Sequence, residues 1–226
     1  VTATVKAWSF SAWDLHHQCP LRFKLLKLDK LKEEAGPALL RGRKVHTAMK
    51  DYLAAPYEPG TPPGAAPPEA GKAAELAEQV RQFDNRVVEQ QWGYTATWKP
   101  TAWFGNTTWF RCILDVGIIY DDNTAEVVDW KTGKPRGTYK EEMELFAMAL
   151  MLRAPHVTHV STRLAFTDVK HEVFDEFPAA ALEPLINTWN RRVAPMFTDT
   201  SYLPRPNEGC KWCDFSRSKG GQCRYG

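Results

Sequence analysis

Asp115, Asp129 and Lys131 are the residues of this chain whose types and spacing could do chemistry. Ile113-Leu-Asp115 and Val127-Val-Asp129-Trp-Lys131-Thr-Gly-Lys134 are apolar runs, each with a carboxylate where a β-strand would otherwise bury a hydrophobe. Strand side chains alternate between faces, so Asp129 and Lys131 point the same way. A charge buried in a strand is costly unless it is paired or bound to a metal. Two carboxylates and an ammonium converging on one spot therefore point to a divalent cation, with the lysine beside the water or phosphate on which it acts. Asp-x-Lys alone is also compatible with a surface strand ending in a salt-bridged turn. The context separates the two.

Helices and strands must bring these groups together. Ser9 or Ser11 can cap a first helix, whose apolar face is interrupted at Cys19-Pro20. A second helix is expected from Leu39 to Leu53, and it carries Gly42 and His46. The segment 55–71, rich in Pro, Gly and Ala, reads as a flexible loop. Lys72 to Gln91 reads as helical, whereas Tyr94–Trp98, Thr107–Tyr120 and Ala125–Trp130 read as strands. Asp121-Asp-Asn123 is turn chemistry and makes the last two a hairpin. Thr138–Arg153 is an apolar helix bearing Glu141, Glu142 and Glu144. Val157–Phe166 and His171–Phe174 are further strands, and Ala179–Val193 a helix. Helices around a central group of strands give an α/β or α+β class with a mixed sheet. A length of 226 residues suits one substantial core.

Bulk charge does not announce a polyanionic partner, since 29 Lys plus Arg face 27 Asp plus Glu. Any basic surface must be local, and the candidates are Arg41, Arg43 and Lys44, then Lys134 and Arg136, then Lys211 and Arg217. Most of the nine tryptophans are expected in the core, with one or two available to stack on bases. No apolar run approaches the roughly 18 to 20 residues of a membrane span, and no signal peptide opens the chain. Five cysteines, three of them crowded near the C-terminus, favour metal ligation in a reducing compartment over disulfides. That compartment is expected to be the cytoplasm of a bacterial or phage-infected cell.

In order, the chain offers Gly42-x-x-x-His46, Asp115 on a strand, Asp129-x-Lys131 after a hairpin, and a helix with glutamates. This series resembles the RecB-like branch of the PD-(D/E)xK nucleases, with His46, Asp115, Asp129 and Lys131 in the places of its core motifs. It is most similar to the CRISPR-associated RecB-like iron–sulfur exonucleases and their phage relatives. Cys19-Pro20 looks like that group's N-terminal element, and Cys210-Lys-Trp-Cys213 with Cys223 looks like its C-terminal cysteine triplet. The resemblance spans Ser9 to Cys223. It implies a restriction-endonuclease-like core in one nuclease domain, 1–226, with segments 9–30 and 200–226 joined by a cysteine cluster.

Three positions depart from the family pattern. Cys112 stands where the family usually has glycine, three residues before the first aspartate. Glu142 and Phe146 stand where it has Gln and Tyr. Nine residues separate Cys213 from Cys223, more than is usual, and Ser-Lys-Gly-Gly lies among them.

The residues imply Mg²⁺ or Mn²⁺ held by His46, Asp115, Asp129 and the Trp130 carbonyl, with Lys131 orienting a water or stabilising developing charge. Glu142 is a further candidate for reaching the metal or a water. Four thiolates, Cys19, Cys210, Cys213 and Cys223, can take either zinc or a [4Fe–4S] cluster, and the resemblance favours iron. Cys112 reads as a buried small hydrophobe. The implied activity is a DNA exonuclease acting on single strands or duplex ends, leaving 5′-phosphate and 3′-hydroxyl products. Its setting would be recombination or repair, phage DNA metabolism or CRISPR adaptation. The partners would be DNA, a second copy of the chain, or recombination or CRISPR proteins. Two alternatives are a non-catalytic DNA-binding or assembly subunit that keeps the fold, and a structural zinc module. The zinc module does not explain carboxylates interrupting two apolar strands.

Overall fold

The segments that alternate or run apolar are the ones that pair. β1 (Val87–Tyr94), β2 (Pro100–Thr101), β3 (Phe110–Ile119), β4 (Thr124–Lys131), β5 (His159–Phe166) and β6 (Glu172–Pro178) form a six-stranded sheet in the order β2-β1-β3-β4-β5-β6. The structure, a computed structural model, describes residues 4–58, 64–135 and 139–225. Neighbouring strands are antiparallel except β4 and β5, which run parallel. Parallel neighbours need a crossover, and α5 (Lys140–Arg153) supplies it.

α5 is apolar on almost every side, and Met143 through Met151 are all buried. A helix of that kind must be covered all round. The sheet covers one side and α6 (Leu182–Thr198) another, with α1 (Phe10–Gln18) packed on α6. Glu144 is the acidic exception inside α5, and Arg192 of α6 pairs with it. Trp8, Trp13 and Trp189 close this layer, with Trp8 stacked on Trp189 at 5.6 Å. The opposite face of the sheet is covered by α3 (Pro37–Ala54) and α4 (Ala74–Arg81). Val45, Met49 and Leu53 recur every four residues along α3 and meet Val116, Val128 and Trp130. That stripe also fixes where His46, one residue after Val45, must lie.

Several boundaries differ from the sequence expectations. Lys72–Gln91 is not one helix. It holds α4 as far as Arg81, and then Val87–Gln91 enters the sheet as part of β1. Asp84-Asn85 provides the break, and Val87-Val88 find a partner in Gly117 and Val116 of β3. Tertiary pairing overrides local helix propensity here. Tyr94–Trp98 is accordingly a strand end and a turn, with Trp98 in the left-handed region at φ +59°. The end of the 55–71 segment belongs to a short 3₁₀ helix, Pro68–Ala73, with Ala70 buried. Gly71 takes φ +50°, and a Cβ there would sit 2.2 Å from the Thr167 carbonyl oxygen, so only glycine fits. Cys19-Pro20 breaks the first helix as expected. α2 (Pro20–Phe23) follows and runs into a π-helical turn, Lys24–Leu28. The Asp121–Asn123 turn joins β3 to β4, with Asp122 accepting the Thr124 N–H at 2.9 Å. Arg136 lies outside the described residues. Among the described residues, no helix is long and apolar enough to cross a membrane.

Candidate active site

The β3–β4 ladder runs from Ile119↔Ala125 to Val116↔Val128, and at its end stand Asp115 and Asp129. Here a side chain replaces a backbone partner. Oδ2 of Asp115 accepts the Trp130 N–H at 3.0 Å. The same oxygen is 3.1 Å from Nδ1 of His46, which α3 brings across the sheet. Asp115 and Asp129 are both buried. A Cβ on Gly42 would meet only Thr132 Oγ1, at an ordinary 3.6 Å, so close helix packing does not require that glycine.

The partner that sequence reasoning missed is Glu89. It lies on β1 between the pairs Val88↔Val116 and Gln90↔Leu114, and so opposite Asp115. Ligand atoms of His46, Glu89 and Asp115 lie within 4.8 Å of one another, a group that could hold a metal ion. Burial raises the Glu89 carboxyl's pKa, and the Asp115 charge raises it further. Its signal was hidden because the segment around it reads as helix. An acid in an apolar strand pairing with the first aspartate's strand would have revealed it.

Asp129 and Lys131 share a face of β4, as the strand period requires. Nζ of Lys131 is 2.8 Å from Oδ2 of Asp129 and 2.8 Å from Oε2 of Glu142, which reaches in from the first turn of α5. Lys131 thus bridges the buried Asp129 and the half-buried Glu142. Burial lowers the Lys131 pKa, but the Asp129 and Glu142 charges outweigh it and hold the ammonium protonated. Asp129 is pushed up to about 7 by burial. Asp115 and Glu142 add to that rise, and Lys131 opposes it. His46 is raised to about 9 by its hydrogen bond to Asp115, against burial, with the Asp115, Asp129 and Glu89 charges assisting.

These groups fit a divalent cation. Several acids crowd one spot with a single ammonium shared between two of them, and the donor set is carboxylate oxygen with one imidazole. A cation would offset the burial and the carboxylate repulsion that together raise the Asp129 and Glu89 pKa values. Trp130 joins the site through its backbone N–H, while its indole is buried on the α3–α4 side of the sheet. Phe146, one turn after Glu142 on α5, lines the same cleft as Asp129 and Glu142.

A sequence model of the PD-(D/E)XK nuclease superfamily matches residues 7–218. The chain belongs to that superfamily. Among solved structures, it is similar to a protein from Eubacterium rectale called “Putative exonuclease”, at 13% identity and a TM-score of 0.52. That match covers 94% of this chain and 88% of the other. The crystal structure of SSO0001 matches at 14% identity and a TM-score of 0.47, covering 97% of this chain and 86% of that one. No curated protein matches the chain in sequence.

The expected nucleic-acid contacts are dispersed. Arg41 forms a forked pair with Asp168, and Lys44 pairs with Glu69 at 2.9 Å. Arg43 is exposed, and exposed Lys134 shares a small cavity with Arg41 just beyond β4. Lys211 lies over the exposed Trp212 ring at 5.5 Å, and Arg217 is exposed. The Arg41 and Lys44 pairings leave those two less free for phosphate than their sequence cluster implies.

Cys19, Cys210, Cys213 and Cys223 are all half-buried free thiols, and Cys112 is buried. The C-terminal segment is tied beside Cys19. Asn207 Nδ2 donates to the Gln18 carbonyl at 3.1 Å, and Arg205 donates to the His17 carbonyl. Burial raises the Cys213 pKa. The Phe215 backbone and Arg22 oppose this, and the nearby Glu33 and Cys19 add to it.

Proposed function

We propose that this protein is a metal-dependent DNA exonuclease of the RecB-like kind, taking single strands or duplex ends. The observation that carries the reading is Lys131 held at 2.8 Å from both the buried Asp129 and Glu142. Asp115, Asp129, His46 and Glu89 would hold Mg²⁺ or Mn²⁺, which supplies charge neutralisation at the phosphate and a lowered pKa for the attacking water. Lys131, kept protonated by its two acids, donates hydrogen bonds to the negative oxygen that develops during in-line attack. Glu142 keeps the ammonium aimed at that place and is thus a positioning residue. Asp115 accepts the Trp130 N–H with one oxygen, which holds β4 in register beside β3 where Asp129 and Lys131 stand, so that both would face a bound cation.

In the same reading the whole chain works as one nuclease domain. Cys19, Cys210, Cys213 and Cys223 carry a [4Fe–4S] cluster that fastens 200–226 to 9–30. Support comes from the tethers beside Cys19 and from the nearness of Cys19 and Cys213 to Arg22. Four thiolates accept either zinc or a [4Fe–4S] cluster, and it is the resemblance that favours iron.

The test uses anaerobically purified protein with end-labelled single and double strands, in Mg²⁺, Mn²⁺ or EDTA. Metal-dependent shortening from an end, abolished in EDTA, is the expected result. Binding without hydrolysis in any metal would favour the DNA-binding subunit instead.

A further inference from the structure

A cleft of about 440 Å³ opens from Asp129 and Glu142 toward solvent. Its floor is aromatic, with Phe10, Phe110 and Phe146, and its rim carries Trp103, Lys27 and Arg111. Beside Trp103, on the same loop between β2 and β3, Phe104 is 81% exposed. Exposure of that size is a lost burial opportunity for a phenyl ring in a free protein. The Arg111 guanidinium lies 5.5 Å from the Trp103 ring and 5.3 Å from the Phe104 ring.

The cations beside these rings are free of ion pairs, unlike several others on the surface. Arg41, Lys44, Lys131, Arg163 and Arg192 are each matched by a carboxylate. Among the described residues, Lys27 and Arg111 have no carboxylate within salt-bridge distance, and Nε of Arg111 is buried without an acceptor. Two unmatched cations, the half-buried Trp103 ring and the exposed Phe104 ring thus flank an apolar cleft that ends at the catalytic acids. A polyanion with flat apolar faces satisfies all three features. Single-stranded nucleic acid is such a ligand, because its bases are free to stack on side chains, whereas paired bases inside a duplex already stack on one another.

Resting on the nuclease reading, we propose that this cleft seats the unpaired nucleotides next to the cleaved bond. Trp103 and Phe104 stack on bases, and Arg111 and Lys27 meet the adjoining phosphates. The chain then selects an unpaired strand by its base faces rather than by sequence.

The test is binding of a dye-labelled oligothymidylate of about a dozen nucleotides, followed by fluorescence anisotropy in EDTA. An abasic strand of equal length and charge is the comparison. The wild type should prefer the base-bearing strand by roughly tenfold or more, as base–aromatic stacking generally gives. A Trp103→Ala, Phe104→Ala double variant should lose that preference while keeping weak, salt-sensitive binding to both strands. Phe104→Leu, which retains apolar area without a π face, should fall between. Equal binding of the two strands by the wild type, or an undiminished preference in the double variant, would overturn the subsite. Wild-type hydrolysis in Mg²⁺ and Mn²⁺ is followed in parallel. Its absence on every strand would refute the nuclease reading, whereas hydrolysis without any base preference would refute the subsite alone.

Discussion

Glu89 stands opposite Asp115 across the β1–β3 ladder, in a left-handed backbone conformation with φ +50°. A residue other than glycine in that region costs roughly 1–2 kcal/mol. The strain accompanies a carboxylate held within 4.8 Å of the ligand atoms of His46 and Asp115. Glu89→Gln should therefore weaken Mn²⁺ binding by about 10-fold or more, since one anionic ligand is lost. Glu89→Gly should weaken it as well, yet leave the melting temperature unchanged or higher because the strain is relieved. Calorimetric titration with Mn²⁺, paired with thermal unfolding of the metal-free protein, checks both. Unaltered affinity in the two variants would remove Glu89 from the site.

The acids that interrupt apolar runs were legible in the sequence, because an unpaired charge in a buried strand has few explanations. Asp115, Asp129 and Lys131 converge as the strand period dictates, and His46 follows from the Val45-Met49-Leu53 stripe of α3. Glu89 was not legible. Its neighbours have helix-like composition, and only pairing with β3 turns Val87–Tyr94 into a strand. The cleft was equally hidden, for Trp103 and Phe104 gain meaning only when folding sets Arg111 and Asp129 beside them. Ion pairing also escaped the sequence. Arg41 and Lys44 look like a free basic cluster until Asp168 and Glu69 arrive from distant segments.

Lys131→Met should lower DNA hydrolysis by at least ~100-fold, the usual scale for losing an electrostatic assistant. Folding should survive, because Asp129 already tends toward its protonated form at neutral pH and can neutralise itself. Glu142→Gln should cost less, about 10-fold, since its amide oxygen can still accept from Nζ. Single-turnover rates with Mg²⁺ at saturating DNA measure both effects. Wild-type rates in the two variants would dismiss the assigned roles.

Phe146 lies one turn after Glu142 and is 6% exposed in the wall of the cleft. Phe146→Tyr adds a hydroxyl on the side where Asp129 and Glu142 offer acceptors. The variant should keep or modestly raise the hydrolysis rate, with melting temperature nearly constant. A drop of tenfold or more in rate would show that the cleft cannot accept the group.

Cys19→Ser should reduce bound iron and lower thermal stability, because thiolate ligation is coupled to folding of the segment it ties down. Cys112→Ser should leave metal content alone, as this thiol is buried in the sheet layer under α5. Elemental analysis after anaerobic preparation decides the cluster's nature. Zinc without iron would replace it with a structural zinc site.

His16 Nε2 lies 3.1 Å from Oδ2 of Asp199 and ties α1 to the end of α6. Burial lowers the imidazole pKa below its ordinary value of 6.5, although Asp199 pulls it upward. Asp199 itself ends lower than usual: burial raises it, but the N–H groups of Tyr202 and Ser201 and the His16 ring outweigh that. His16 behaves as a neutral ring, while Asp199 keeps its charge chiefly through backbone donors. A neutral ring donating to Asp199 satisfies both. The unfolded chain therefore takes up a proton near pH 6.5 that the folded chain refuses, so stability is complete above that pH and declines as pH falls below it. His46 and Asp129, whose folded pKa values are raised to about 9 and about 7, act in the opposite sense over the same range, so the His16 contribution is read as a difference. Between about pH 7.5 and pH 5.5 the urea midpoint of His16→Gln, whose amide can still donate to Asp199, should gain on that of the wild type. Parallel profiles, or a wild type that gains on the variant as pH falls, would show that His16 takes up its proton in the folded protein.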